Sequence, residues 1–169
     1  MKKKWIAAIA VAAVLLVGGA CLLLLNPWET QMNVACTGWL MPEDGTAARA
    51  VPVTIQGRWR HYVWGNGEDA FLGGYDGGIF LDGERLASNL PFPDGSSAYT
   101  CLKDMDRNLV LLANRKLQYM LVRLPCASAD GGAMARLVVP AASQAEADAV
   151  LAVIEAQPDY IAYWQDDFS

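Results

Sequence analysis

The sequence predicts a mainly β protein of the α+β class: an N-terminal transmembrane helix, then a small antiparallel sheet or partly open barrel with one C-terminal helix. Three observations predict it. An uncharged apolar run fills residues 5–25 behind three lysines. From residue 32 onward, short β-branched and aromatic segments alternate with Gly, Pro, Asn and Asp turn signals. Beyond Pro140 the apolar period changes from two to about 3.6.

The first element is "MKKKWIAAIAVAAVLLVGGACLLLLNPW". A helix rising about 1.5 Å per residue from Trp5 to Leu25 matches a hydrocarbon core of roughly 30 Å. Trp5 and Trp28 bracket it, where indole rings favour the membrane interfaces. Lys2, Lys3 and Lys4 hold their end in the cytoplasm, so the chain beyond Pro27 is expected outside. The expected organisation is a basic tip at 1–4, an anchor that meets the lipid bilayer through residues 5–25, a linker at 26–31 and an outer domain at 32–169. Two other readings compete. A cleaved signal peptide has an apolar region of only about 7–15 residues. Lipidation of Cys21 has "GGAC" in its favour, but Gly18 stands where lipoprotein signals carry Leu or a similar residue. The uncleaved anchor is preferred, and all three readings put the domain outside the cytoplasmic membrane.

In the outer domain, "MNVACTGWLM" and "AVPVTI" read as strands around the turn "PEDG". "RWRHYVW" alternates bulky and charged side chains before "GNGED". Asp82-Gly83 in "IFLDGERLA" is the best hairpin signal in the chain. "NLPFPDGSS" reads as a loop, too broken for a central strand. "AYTCLK", "NLVLLA", "LQYMLVRL" and "MARLVVP" follow as strands with short connections, an antiparallel meander. Ser143 and Glu146 then form a capping box for a helix over about 143–157. Its apolar stripe is Ala147, Val150, Leu151 and Ile154, and Pro158 ends it. "YIAYW" reads as a last short strand.

Charge narrows the function classes. Removing Lys2, Lys3 and Lys4 from the 13 basic residues leaves ten against 18 acidic ones. An outer domain this acidic repels nucleic acid, and only "RWR" at Arg58–Arg60 approaches a basic cluster. Cys36, Cys101 and Cys126 are an odd set outside the anchor, which permits one disulfide and excludes a CxxC redox motif.

The stretch "WGNGEDAFLGGYDGGIFLDG" at 64–83 invites a calcium reading. Gly65, Gly67, Asp69 and Phe71 fall at the offsets of a β-roll repeat, but the next unit has Asp76 and Gly78 exchanged against that pattern. Neither an EF-hand frame nor a phosphate loop is present. Turns between strands are therefore expected, and Glu68, Asp69 and Asp76 stand as weak calcium candidates; no other cofactor is expected. His61 is the single histidine, flanked by Arg60 and Tyr62, and reads as a solvated strand residue rather than a catalytic base. The aromatic cluster is the better candidate. Arg58, Trp59, Arg60, Tyr62 and Trp64 share one predicted strand, and Trp, Tyr and Arg dominate interface hot spots. These features imply a single-pass anchored extracytoplasmic protein, a non-catalytic binding or accessory module at the cell envelope that meets a protein or glycan partner. The competing classes are an envelope hydrolase or thiol-dependent enzyme with a site assembled from distant residues, and a calcium-stabilised structural domain.

Overall fold

The computed structural model describes residues 2–62, 68–92, 98–126, 133–158 and 160. It begins with helix α1 (Lys2–Leu25). The backbone is helical throughout that range, with side chains described at Trp5 and from Ile9 to Leu22. Among the described residues, no helix is long and apolar enough to cross a membrane. α1 does not pack on the sheet in any extensive way. Its described side chains stay bare: Val14, Leu15 and Leu16 are each at least 70% exposed.

The strands are β1 (Trp28–Pro42), β2 (Arg49–His61), β3 (Asp69–Leu72), β4 (Gly78–Leu81), β5 (Glu84–Ala87), β6 (Asn89–Phe92), β7 (Tyr99–Asp104), β8 (Leu109–Asn114), β9 (Met120–Pro125) and β10 (Met134–Val139), with α2 (Gln144–Glu155) after them. All pairings are antiparallel, in the order β5-β4-β2-β1-β10-β9-β8-β7, and β3 joins β2 to β6. The result is a curled half-barrel that α2 backs on one side. The expected meander from β7 to β10 is present in that order.

Alternation sorts each strand between two faces. The inner face carries the main core, with Val53, Ile55, Phe71, Ile79, Leu90, Leu111, Val122 and Leu137 all at or near zero exposure. The outer face of β7–β10 carries a second cluster, in which Leu112, Leu121 and Val138 meet Ala147, Val150 and Ile154 of α2. Ser143 caps α2 as expected, accepting from the Glu146 N–H at 3.3 Å, while the Glu146 carboxylate accepts from the Ala142 N–H at 2.7 Å. Trp39 Nε1 donates to Gln144 Oε1 at 3.0 Å and pins the helix start to β1.

Glycine shapes the long β1–β2 hairpin where β2 changes partner. β2 pairs with β4 from Val53 to Gln56 and with β3 from Arg58 to Arg60. Gly57 lies between, and a Cβ there would stand 2.5 Å from the Leu72 carbonyl oxygen. The Asp82-Gly83 turn has both residues at positive φ, 48° and 83°, the geometry that a two-residue hairpin requires.

Among the described residues, the half-barrel is closed by side chains rather than by a ladder. Thr100 Oγ1 donates to the Pro91 carbonyl between β7 and β6. Arg107, in the β7–β8 turn, donates to the Arg85 and Leu86 carbonyls at 3.0 and 3.1 Å and pairs with Glu84 at 3.0 Å. It thereby satisfies acceptors on the exposed edge of β5.

Several elements depart from the sequence reading. β1 begins at Trp28, so Trp28–Gln31 are paired with β2 instead of forming the end of a linker. Asp69–Leu72, read among turns, form β3, and Asn89–Phe92, read as loop, form β6. β6 tolerates Pro91 because β3 is its ladder partner, which leaves its other side free of N–H demands. The strand expected over "YIAYW" lies outside the described residues except for Tyr160, which is buried in the outer cluster.

Candidate functional site

α1 joins β1 through Asn26 and Pro27, so the sheet has a near end at that junction and a far end at the other. Leu40 lies twelve residues along β1 from Trp28, about 40 Å at 3.3 Å per residue. The two ends carry different chemistry.

At the near end, the strand that held the sequence candidates divides between two faces. Trp59 turns inward and meets Phe92 edge-on, ring centroids 5.1 Å apart, as part of the main core. Arg58 and Arg60 turn outward, where both hold Glu29 of β1, at 2.8 and 3.3 Å. Tyr62 is half-buried, and Trp64 lies outside the described residues.

The same end assembles a constellation that the sequence did not join. Asp69, only 7% exposed, faces the Nδ1 of His61 at 2.9 Å, accepts from the Tyr62 N–H at 2.9 Å and pairs with Arg115 at 3.6 Å. A carboxylate only accepts, so the His61 Nδ1 carries the proton toward it and the Nε2 is left to the outside. An acid that orients an imidazole this way is the supporting half of a hydrolytic triad. Among the described residues, no hydroxyl or thiol is hydrogen-bonded to the other ring nitrogen. Nor, among the described residues, does any group of three His, Cys, Asp or Glu side chains stand ready to hold a metal. Glu68 and Asp76 are exposed, and Asp69 is committed to His61, Tyr62 and Arg115 rather than grouped with them.

At the far end, the half-barrel opens into a cleft of about 560 Å³. Leu40, Val51, Leu81, Leu124 and Ala135 supply its apolar wall, and Asp44, Thr46, Arg49, Asp82 and Glu84 its polar rim. Five separate segments contribute, which is why no local pattern announced it. The size falls within the range of small-ligand and peptide-anchor sites. Cys126 also lines the cleft, its Sγ donating to the Met134 carbonyl at 3.1 Å.

The cysteines form no disulfide. Cys36 packs against the main core on the inner face, and Cys101 against the second cluster on the outer face, so the sheet itself separates them. Burial pushes the Cys36 thiol above its ordinary range, which disfavours the thiolate that a nucleophile needs.

Fold and sites together define an antiparallel half-barrel with one covering helix and an apolar-walled cleft at its open end. No protein-family model, curated protein or solved structure matches the chain.

Proposed function

We propose that this chain is a single-pass membrane-anchored extracytoplasmic protein whose outer domain is a binding or accessory module at the cell envelope. One observation carries the reading. α1 is an apolar helix that leaves its described side chains bare and, among the described residues, does not pack on the sheet in any extensive way. In water such a helix would expose far more apolar surface than soluble proteins tolerate, so it needs a lipid surrounding. The cytoplasmic side then holds Lys2–Lys4, and the far-end cleft stands clear of the membrane, where an envelope protein or glycan can reach it.

Membrane fractionation tests the anchor. The full chain should resist alkaline carbonate extraction, and a chain lacking residues 2–27 should be released as folded protein. Extraction of the full chain would overturn the anchor. Crosslinking of the full chain in its native membrane tests the binding role: a near-stoichiometric partner should be captured, and Leu124→Glu, which charges the cleft wall, should lose it. Capture that ignores this substitution would remove the cleft from the reading.

A second reading is favoured by the His61–Asp69 pair, namely an envelope hydrolase. It requires an activity that His61→Ala abolishes while the fold persists.

A further inference from the structure

The far-end cleft has a charge pattern of its own. Leu40 pairs with Arg49, Pro42 with Ala135, Met134 with Pro125 and Asp104 with Leu109, and Arg107 reaches Glu84. The turns at 43–48, 82–83 and 105–108 therefore all stand at the cleft end. Across residues 43–49, 82–84 and 104–108, six carboxylates stand against two guanidiniums, those of Arg49 and Arg107. Asp44, Asp82 and Glu84 on the rim are exposed, so their field reaches into solvent. Asp44 already accepts from the Thr46 N–H at 2.9 Å, and Glu84 holds Arg107 at 3.0 Å. The attraction is thus that of the summed field on a cation, not the demand of an unpaired group.

The wall beneath that rim is unfinished core. Val51 and Leu81 are buried, whereas Leu40 and Leu124 pack against the main cluster and stay only half-buried at the opening. An apolar side chain inserted there would complete the layer and remove their remaining apolar surface from water. The opening is also held in shape. The Met134 carbonyl accepts from the Glu43 N–H at 2.8 Å and from Cys126 Sγ at 3.1 Å, and Asn108 Nδ2 donates to Met134 Sδ at 3.4 Å. The start of β10 thereby ties the β1–β2 and β7–β8 turns together, and a site fixed before binding loses less freedom on binding. Met105 stands 84% exposed in the second of these turns, an adaptable apolar side chain among carboxylates.

We propose that the cleft takes a cationic peptide segment of a partner protein. One aliphatic side chain enters against Leu40 and Leu124, and flanking lysines or arginines lie on the Asp44, Asp82 and Glu84 rim. This rests on the reading of the cleft as the binding site and adds the chemistry of what enters it. The field that favours a basic segment disfavours an acidic one of equal apolar content.

Fluorescence anisotropy on the full chain in phosphatidylcholine nanodiscs tests it, with empty nanodiscs as the blank. The labelled probes are a heptapeptide with lysine pairs around a central leucine, its glutamate counterpart, and the lysine peptide with serine for leucine. The first should bind about tenfold tighter than either of the others. Asp82→Asn with Glu84→Gln, which removes two rim charges and suits the turn, should weaken it about fivefold, and Leu124→Ser about tenfold. Raising salt from about 0.05 to 0.5 M should also weaken it, since exposed charges are screened. Equal binding of the glutamate or serine peptide, or indifference to the rim variant, would overturn the proposal. So would tighter binding of chitotetraose, self-association through the cleft, or no binding by any peptide. In that last case, crosslinked capture that Leu124→Glu abolishes keeps the cleft reading and rejects only the cationic class, whereas capture that ignores it rejects both. If Leu124→Ser fails to fold, the rim variant and the peptide series decide.

Discussion

A single side chain, Arg107, shows how far one residue can carry the closure of this fold. Its guanidinium reaches two edge carbonyls of β5 and one carboxylate. The carboxylate is the lesser part, because Glu84 is 79% exposed and exposed ion pairs contribute little. The carbonyl bonds are charge-assisted and stand at a strand edge that no other described strand pairs. Arg107→Ala should therefore cost about 1–3 kcal/mol, and Glu84→Gln only a few tenths. Urea unfolding of the two variants checks the order; equal losses would mean that the ion pair, not the edge, does the holding. Residues of this kind are hard to read from sequence. The short connection expected between "AYTCLK" and "NLVLLA" is present, but the partner of its Arg107 depends on the curl that brings β5 round to it. Asp69 was visible for a different reason, the glycine spacing around it, and that spacing pointed to calcium rather than to His61 and Arg115.

At the scale of elements, what was legible depended on whether the signal was local. Asp82-Gly83 and the Ser143–Glu146 cap were read correctly because a turn and a helix start are decided by the residues that form them. β6 was missed because its composition, with Pro91, fits a strand only at an edge, and edge status is a property of the sheet. The long β2 reads in sequence as two segments, "AVPVTI" and "RWRHYVW", on either side of Gly57, yet Gly57 is what lets one strand serve β4 and then β3. Its φ is not of the left-handed kind, so the need is for space alone. Gly57→Ala would press a methyl on the Leu72 carbonyl oxygen, a backbone atom that cannot move aside without breaking the β2–β3 pairing. Gly38→Ala would meet the Leu137 Cδ1 at 2.6 Å, the end of a side chain that can turn. The expected costs are 3 kcal/mol or more for Gly57→Ala and about 1–2 kcal/mol for Gly38→Ala. Thermal unfolding of both distinguishes them. A milder Gly57 variant would show that β3 is loosely held, and the His61–Asp69 pair with it.

For the whole molecule, the two apolar clusters impose a common pH dependence because each buries groups that lose protons in alkali. Burial raises the Cys36 thiol on the inner face. On the outer face burial raises Tyr99, helped by Tyr119, and raises Tyr160, helped by Glu155 and opposed by Arg136. Each is neutral when protonated, so in every case the folded chain keeps its proton after the unfolded chain has released it. Stability from these groups is full below their ordinary values, near pH 9 for the thiol and 10 for the phenols, and falls as the pH rises through the raised folded values. The clusters lie on opposite sides of one sheet, so neither can relax in alkali without the other losing its support. Urea midpoints measured from about pH 7 to 11 should hold level and then drop together for both clusters. Cys36→Ala with Tyr99→Phe should flatten the drop, since it removes one titrating group from each face and leaves the hydrocarbon packing largely in place. An unchanged alkaline slope in that variant would mean that the sheet yields first somewhere other than its two cores, with the side-chain closure at Arg107 and Thr100 the next place to look.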